Sequence, residues 1–266
     1  MSTASIVQQF KDLPAVKVLR QARYERLFRK AGGYQGLHRG VYPSFAEARR
    51  SSPVRLDDVY EMDDQAWVAK TLDRVAYYDY PILFWLRPAP AGVRMVFDLG
   101  GHVGVHRAGY SRYLELPGQL RWLVCEQPQV VALGEKLLRE GRVSGVEFTT
   151  SAADGDGAEI FLSAGTLQFI ETHCWALLAG WKHLPQHLLL NKVPLRDAPT
   201  AVTLQNTGSA FVPCWLYDRR EFIASFERLG YELVDSWLCP DRGVHVPFHL
   251  ADSVVAMSGL YLRRKA

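Results

Sequence analysis

The sequence predicts an α/β fold, in which a mostly parallel sheet of seven strands ends with an antiparallel strand and follows an N-terminal helical region. After residue 90, short apolar runs alternate with amphipathic stretches, which is the pattern of strands joined by helical crossovers. Two long strand-like runs near the C-terminus, Tyr231 to Trp237 and Ser253 to Arg263, have no helix between them and indicate an antiparallel pair. We therefore divide the chain into residues 1–90, the helical region or cap, and residues 91–266, the sheet domain.

Helix signals and apolar periodicity predict the individual elements. Ser44 followed by Glu47 has the pattern of a capping box at a helix start. Apolar residues at helical spacing predict a crossover helix over Gln129 to Glu140 and a second helix over Arg219 to Leu229. The strands predicted before the final pair are Arg94 to Leu99, Arg121 to Glu126, Val146 to Thr150, Glu159 to Ser163 and His187 to Asn191.

The composition narrows the class of protein. With 266 residues, 48% hydrophobic and 22% charged, the chain has the make-up of an ordinary globular protein. A net charge of +3 does not indicate nucleic-acid binding. The basic excess between Lys11 and Arg55 leaves peripheral membrane contact as a minor alternative.

Scattered cysteines and the lack of a long apolar run predict a cytoplasmic protein without zinc, disulfides or a transmembrane segment. The oligomeric state stays open.

A tight glycine turn, Gly100-Gly101-His102-Val103-Gly104, follows the first strand of the predicted sheet. Open α/β sheets bind ligands at the carboxyl ends of their strands. Gly100 and Gly104 allow backbone conformations, and close approach of a ligand, that a side chain would block. Glu126 ends the next strand, where its carboxylate can accept hydrogen bonds from both hydroxyls of a ribose. The loop and the acid together predict a cofactor that contains a nucleoside.

Two segments, VFDLGGHVGVH and WLVCEQPQVVALGEKLL, resemble a bacterial family of class I (Rossmann-like) S-adenosylmethionine-dependent methyltransferases associated with surface-polysaccharide (O-antigen) gene neighbourhoods. Similar segments, GVYPSFAEA, EIFLSAGTLQFIE and HLLLNKVPL among them, keep the same order, so that the resemblance spans residues 40 to 264. It implies a Rossmann-like fold, S-adenosylmethionine as cofactor and O-methylation of a hydroxyl on a sugar or a related small molecule. The implied partner is a small-molecule or glycan acceptor.

The resemblance also assigns roles by position. Asp98 is expected near the methionine amino group, Glu126 on the ribose and Gln127 beside the adenine. His102 stands where the general methyltransferase pattern has the middle glycine of its loop, and either packs within the loop or contacts the cofactor. The complete set of predicted cofactor-binding residues is Asp98, Gly100, Gly101, His102, Gly104, Glu126, Gln127, Ala152, Asp154 and Ser163.

Methyl transfer mainly requires alignment of the acceptor atom and removal of its proton. Asn191 and Lys192 follow the fifth predicted strand at the same edge of the sheet as the glycine turn. His245 and His249 lie in the last long connection and suit proton transfer near neutral pH. These four are the predicted catalytic residues. The His-x-x-x-His spacing has metal-ligand character, but Pro247 argues against a helix there, and we predict no metal site.

Two other functions stay open at this point. A nicotinamide-dependent oxidoreductase would also use Gly100, Gly104 and Glu126, and a non-catalytic binding or scaffold protein could retain the same fold. The aromatic segment Tyr77-Tyr78-Asp79-Tyr80 is either core packing or a cradle for an acceptor ring.

Overall fold

The computed structural model describes residues 14–30, 36–53, 71–72, 74–87, 93–208 and 210–265. Its α-helices are α1 (Pro14–Phe28), α2 (Phe45–Arg50), α3 (Tyr80–Leu86), α4 (Val105–Tyr110), α5 (Pro128–Arg139), α6 (Cys174–Ala179) and α7 (Arg219–Glu227). Its strands are β1 (Leu37–Tyr42), β2 (Met95–Leu99), β3 (Arg121–Cys125), β4 (Glu147–Thr149), β5 (Ile160–Ala164), β6 (His187–Val193), β7 (Leu195–Arg196), β8 (Ala201–Asn206), β9 (Phe211–Asp218), β10 (Tyr231–Cys239) and β11 (Met257–Arg264).

The chain forms two compact units. Their boundaries differ from the predicted division into residues 1–90 and 91–266. The first unit consists of described residues within 1–61, 201–214 and 245–253, and the second contains the remainder. The first unit is discontinuous because strand pairing joins segments that lie far apart in the chain. β1 pairs antiparallel with β8, with Leu37 opposite Asn206.

Strand β1 was not predicted, because its one buried residue is polar. His38 is 4% exposed and its strand neighbours are half-buried, so the strand lacks an apolar alternation. Among its described residues, the N-terminal region is therefore helical only in part. The predicted helix start is confirmed, since the Ser44 hydroxyl accepts the Glu47 backbone N–H at 3.2 Å at the beginning of α2.

The second unit contains the predicted sheet. Its seven strands lie in the order β10-β11-β6-β5-β2-β3-β4. β11, the last in the chain, runs antiparallel to both of its neighbours, and the four pairs from β6 to β4 are parallel. Each predicted strand is present, with the start of β11 displaced by four residues. β2 lies between β3 and β5, both parallel to it, so the strand order reverses at β2. This is a Rossmann-like sheet, and open sheets of this kind bind ligands at the carboxyl edge beside such a reversal.

The sheet is apolar on both faces, as expected of a parallel sheet covered by helices. Along β2, Val96 packs into the cluster around Trp122, and Phe97 packs into the opposite cluster around Phe161. Asp98 follows this alternation and points to the same face as Val96. Its carboxylate is therefore directed into an apolar cluster, where only protein partners can satisfy it.

None of the helices in the described part of the chain has the length and apolar composition needed to cross a lipid bilayer. The four cysteines carry free thiols and are buried. The cytoplasmic location stays a prediction.

Candidate active site

The glycine loop takes a conformation that explains its sequence. Gly100 and Gly104 have φ angles of +78° and +88°, in the left-handed region that glycine enters without cost. His102, between them, has a φ of +53°, which costs a residue with a side chain about 1 kcal/mol or more. The loop is anchored by the Gly100 N–H, which donates to the Cys125 carbonyl at the end of β3 at 2.9 Å. The predicted backbone role of the glycines is thus confirmed.

The space beside these glycines is occupied by protein. A Cβ atom on Gly100 would overlap the Thr166 side chain, and one on Gly101 would overlap the Asp98 carboxylate. A Cβ atom on Gly104 would lie 3.0 Å from Val146. Glycine is therefore needed at these positions because neighbouring protein side chains leave little room for a Cβ atom. The sequence analysis predicted a different reason, namely close approach of a ligand.

Asp98 is buried below the loop and fully enclosed. Both carboxylate oxygens lie 3.0 Å from His106 Nδ1 on α4, and Oδ2 accepts the Trp122 indole N–H at 3.0 Å. The side chain is 0% exposed. These contacts hold α4 and β3 to the end of β2. A direct contact of Asp98 with a cofactor stays a prediction that would require this enclosed carboxylate to become accessible.

The pKa values of the two histidines of this region shift in opposite directions. Burial alone would lower the pKa of His106, but the charge of Asp98 and the hydrogen bond to it outweigh burial and raise the pKa above 6.5. Burial, reinforced by the neighbouring His106, lowers the pKa of His102 to about 4. Asp98 therefore favours the protonated form of His106, with which it can form a buried ion pair, and His102 is neutral at physiological pH. His102 is 8% exposed, so most of its side chain packs within the loop.

Glu126 joins the end of β3 to the glycine loop. Its Oε1 accepts the His102 backbone N–H and its Oε2 accepts the Gln127 backbone N–H, each at 3.1 Å. Burial raises the pKa of Glu126, and the two backbone donors oppose that shift. The side chain is half-buried, and each carboxylate oxygen can accept more than one hydrogen bond. The structure thus brings together the two parts of the predicted cofactor signature.

The other predicted cofactor residues follow neighbouring strands at the same edge of the sheet. Gln127 is exposed at the start of α5, and Ala152 is half-buried after β4. Asp154 is exposed, and its Oδ2 accepts the Thr149 hydroxyl at 2.5 Å. Ser163 is 0% exposed and its hydroxyl donates to the Leu99 carbonyl at 3.0 Å, which ties β5 to β2. Cofactor contacts by these residues stay predictions, and the Ser163 hydroxyl already has a structural partner.

Asn191 and Lys192 lie at a β-bulge in β6. Leu190 pairs with Leu260 and Val193 pairs with Ser258, so Asn191 and Lys192 together face the single residue Gly259 on β11. Lys192 has a φ of +56°, which is unusual for a residue with a side chain. The bulge places one extra side chain at the carboxyl edge of the sheet.

Asn191 is the structural centre of this bulge. Its side-chain amide donates to the Tyr78 carbonyl at 3.0 Å and to Asp79 Oδ1 at 2.8 Å. Its carbonyl oxygen accepts the Lys192 backbone N–H at 3.0 Å and the Trp237 indole N–H at 3.1 Å. At 0% exposure and with this full set of partners, Asn191 positions its neighbours. These contacts indicate a positioning role for Asn191. Its predicted catalytic role stays a prediction.

Lys192 is half-buried among charged and aromatic groups. Its ammonium nitrogen lies 5.5 Å from the centre of the Tyr78 ring. Burial lowers the pKa of Lys192; the Asp79 carboxylate opposes the shift and the Arg242 guanidinium adds to it. A lysine whose pKa is lowered is present as the neutral amine more often than a free lysine is, which suits it to accept a proton.

His245 and His249 belong to the first unit, whereas Asn191 and Lys192 belong to the second. Both histidines are exposed. His249 Nδ1 lies 3.9 Å from Asp252 Oδ2, and His245 is close enough to the buried His38 to influence its titration. Their predicted role as catalytic bases stays a prediction. Among the described residues, no group of three or more His, Cys, Asp or Glu side chains could hold a metal ion.

Comparison with known proteins gave similarities in fold only. No protein-family model and no curated protein matches the sequence. Solved structures similar to the chain include OxaC in complex with sinefungin and meleagrin, at 14% identity and a TM-score of 0.48 over 74% of this chain and 49% of OxaC. The chain therefore spans about half the length of OxaC.

Two further similar structures are methyltransferases. The mitomycin 7-O-methyltransferase MmcR is 17% identical, with a TM-score of 0.45 over 84% of this chain and 61% of MmcR. The amino pentose methyltransferase CalS10 of Micromonospora echinaspora, bound to S-adenosylmethionine, is 14% identical, with a TM-score of 0.44 over 79% of this chain and all of CalS10. Such distant likeness assigns neither substrate nor residue roles.

Three residues of this site escaped the sequence analysis. His106 and Trp122 enclose Asp98, and Trp237 contacts Asn191 together with Asp79 of the aromatic segment. Trp122 and Trp237 lie on elements distant in sequence from the residues that they contact, so no local spacing could reveal them. His106 was the exception, because an ionisable residue in the first turn after a glycine loop is a visible signal.

Proposed function

We propose that the protein is an S-adenosylmethionine-dependent methyltransferase that transfers a methyl group to a hydroxyl of a sugar or a related small molecule. The observation that supports the proposal is the hydrogen bond between Glu126 and the His102 backbone, because it joins the glycine loop to the acid predicted to bind the ribose, beside the strand-order reversal. The sugar and surface-polysaccharide assignments are supported by the sequence resemblance.

The donor set at the carboxyl edge fits the cofactor. The half-exposed Glu126 carboxylate would accept hydrogen bonds from the ribose hydroxyls, while Gln127 and the segment from Ala152 to Asp154 would border the adenine. The loop backbone would border the methionine part, with Asp98 acting through the loop that it supports. When bound, S-adenosylmethionine supplies a methyl group activated by a sulfonium.

Lys192 is our choice of general base among the four predicted catalytic residues. A neutral Lys192 amine would take the proton of the acceptor hydroxyl and become an ammonium ion, which increases the nucleophilicity of the oxygen. Asn191 fixes the bulge that presents this amine, and Asp79 stabilises the ammonium form. His245 and His249 stay as alternative bases.

The cofactor half of the proposal is tested by calorimetry with S-adenosylmethionine and, separately, with NAD. We expect the wild type to bind S-adenosylmethionine, and Glu126→Gln to weaken that binding by about tenfold or more, since the charged acceptor is lost. Glu147→Gln is the matched control, because Glu147 is exposed and pairs with Arg121 away from the carboxyl edge of the sheet. Binding of NAD without S-adenosylmethionine would instead support the oxidoreductase.

The transfer half is tested with labelled S-adenosylmethionine and a panel of cell-envelope sugar precursors. We expect Lys192→Met to lower kcat by about 10²- to 10⁴-fold while cofactor binding is retained. Lys136→Met, an exposed lysine on α5, is the control and should leave kcat unchanged. Cofactor binding without transfer to any precursor would favour the non-catalytic protein.

A further inference from the structure

Two cations share the ring of Tyr78. Lys192 Nζ lies 5.5 Å and the Arg242 guanidinium carbon 5.4 Å from the ring centre. Arg242 Nη2 also donates to the Tyr78 hydroxyl oxygen at 2.9 Å. Each cation is attracted to the electron-rich face of the ring, so the aromatic side chain brings together two like charges that would otherwise repel.

The segment that carries Tyr78 is fixed from two sides. On one side, the Asn191 amide donates to the Tyr78 carbonyl and to the Asp79 carboxylate. On the other side, the Asp241 backbone N–H donates to the Tyr77 hydroxyl oxygen at 3.1 Å. Tyr78 is therefore held between the bulge in β6 and the connection that follows β10. This rigid placement is what a preorganised binding group requires.

Arg242 and Lys192 carry no ion pair with the acids described around Tyr78. Asp79 is the acid with the largest effect on the pKa of Lys192, but it is 8% exposed and its Oδ1 is engaged by Asn191. Among the described residues, neither Lys192 nor Arg242 has a carboxylate within ion-pair distance. His106 balances Asp98. The exposed Arg242 guanidinium thus lacks a carboxylate partner among the described residues, and an anionic group would supply one.

We propose that Arg242 and Tyr78 form a subsite for an oxyanion of the acceptor, so that the methylated molecule carries a phosphate or carboxylate group in addition to its hydroxyl. This inference rests on the proposed function. The guanidinium keeps further N–H donors beyond the one given to Tyr78, and the Tyr78 hydroxyl, which accepts from Arg242, can donate its own hydrogen to the anion. Arg242 would anchor the acceptor, and Lys192 would act on its hydroxyl.

The test measures binding of three small probes to the full chain by calorimetry at constant ionic strength. Phenyl phosphate and benzoate carry the two candidate anions, and benzyl alcohol is their neutral counterpart. We expect an anion to bind the wild type and benzyl alcohol to bind at least tenfold more weakly. Arg242→Gln should weaken anion binding about tenfold, and Tyr78→Phe, which keeps the ring, about threefold. The preferred anion identifies the group on the acceptor.

Arg121→Gln is the control, because Arg121 lies at the amino end of β3 and pairs with Glu147. It should bind the anions as the wild type does. Equal binding of benzyl alcohol, unchanged binding by Arg242→Gln, or no anion binding to a folded wild type would overturn the subsite. S-adenosylmethionine binding is measured on the same samples. Cofactor binding without anion binding would refute the subsite alone, and anion binding without cofactor binding would refute the proposed function alone.

Discussion

Each of the two units buries a histidine, and the pKa values of these two side chains, His106 and His38, shift in opposite directions. His106 in the second unit is 8% exposed and His38 in the first is 4% exposed, so burial hardly distinguishes them. His106 faces the Asp98 carboxylate, and its pKa is raised. Burial, with a smaller contribution from His245, lowers the pKa of His38 to about 4. The partner, and not the depth, decides whether a buried histidine is charged.

The largest expected effect follows from removing the partner. Asp98→Ala would leave the buried donors of His106 and Trp122 without an acceptor, and we expect a loss of about 3–5 kcal/mol in the free energy of unfolding, measured by urea denaturation. Asp235→Ala is the matched control. Asp235 also accepts an indole N–H, from Trp85 at 2.9 Å, but is only half-buried, so its loss should cost about 1 kcal/mol. Equal losses in the two variants would contradict the ion pair.

The second effect should appear in the first unit on acidification. Because the pKa of His38 is about 4 in the folded protein and near 6.5 when unfolded, the unfolded chain binds more protons between these values. Stability is therefore lost as pH falls from about 6.5 to 4, by up to about 3 kcal/mol. Hydrogen exchange of β1 and β8 amides at pH 7 and pH 5 measures the loss. His38→Gln cannot titrate and should remove most of it; an unchanged acid response would contradict this origin.

A smaller effect of opposite sign should appear in the second unit. His106 has a raised pKa in the folded protein, so its contribution is fully present below about pH 6.5 and is lost as pH rises through the folded value. The loss is limited because a neutral imidazole can still hydrogen-bond to Asp98. Exchange of β2 and β5 amides from pH 6 to pH 9 tests this. His106→Gln, which keeps a donor without the charge, should flatten the profile, and a profile that it leaves unchanged would exclude His106 as the source.

The smallest expected effect concerns the helix cap of the first unit. Ser44→Ala removes the acceptor of the Glu47 N–H and should cost about 1 kcal/mol, whereas Ser44→Gly should cost only a few tenths. Thermal unfolding of both variants measures the difference. If the alanine variant were as stable as the glycine variant, the cap would have no net value.

The sequence predicted the second unit far better than the first. Parallel strands buried on both faces are apolar runs that end at glycine or acidic residues, which is a local signal. β1 and β8 depend instead on a pairing across more than 160 residues, with a histidine as the buried residue of β1, and no local pattern encodes that pairing. Recognition of the first unit therefore required the structure.

The candidate active site was likewise predictable from the sequence only in part. Glu126 and the glycine loop were predicted because each follows a recognisable strand. The bulge at Lys192 depends on the register between β6 and β11, and on Gly259, where a Cβ atom would overlap the Trp237 indole that reaches Asn191. The register depends on two segments that are distant in sequence. The sequence could therefore predict that Lys192 lies at the end of a strand, but not its left-handed backbone conformation in a bulge.

The bulge in β6 also indicates at which residue the sheet should tolerate a deletion. If Lys192 were deleted instead of substituted, Asn191 would face Gly259 alone and Val193 would keep Ser258 as its partner, so every other pair of the two strands would persist. The shortened chain would lose a left-handed backbone residue and a desolvated amine, and should be at least as stable as the original. The residue that we propose as the base is thus the one that the architecture itself does not need.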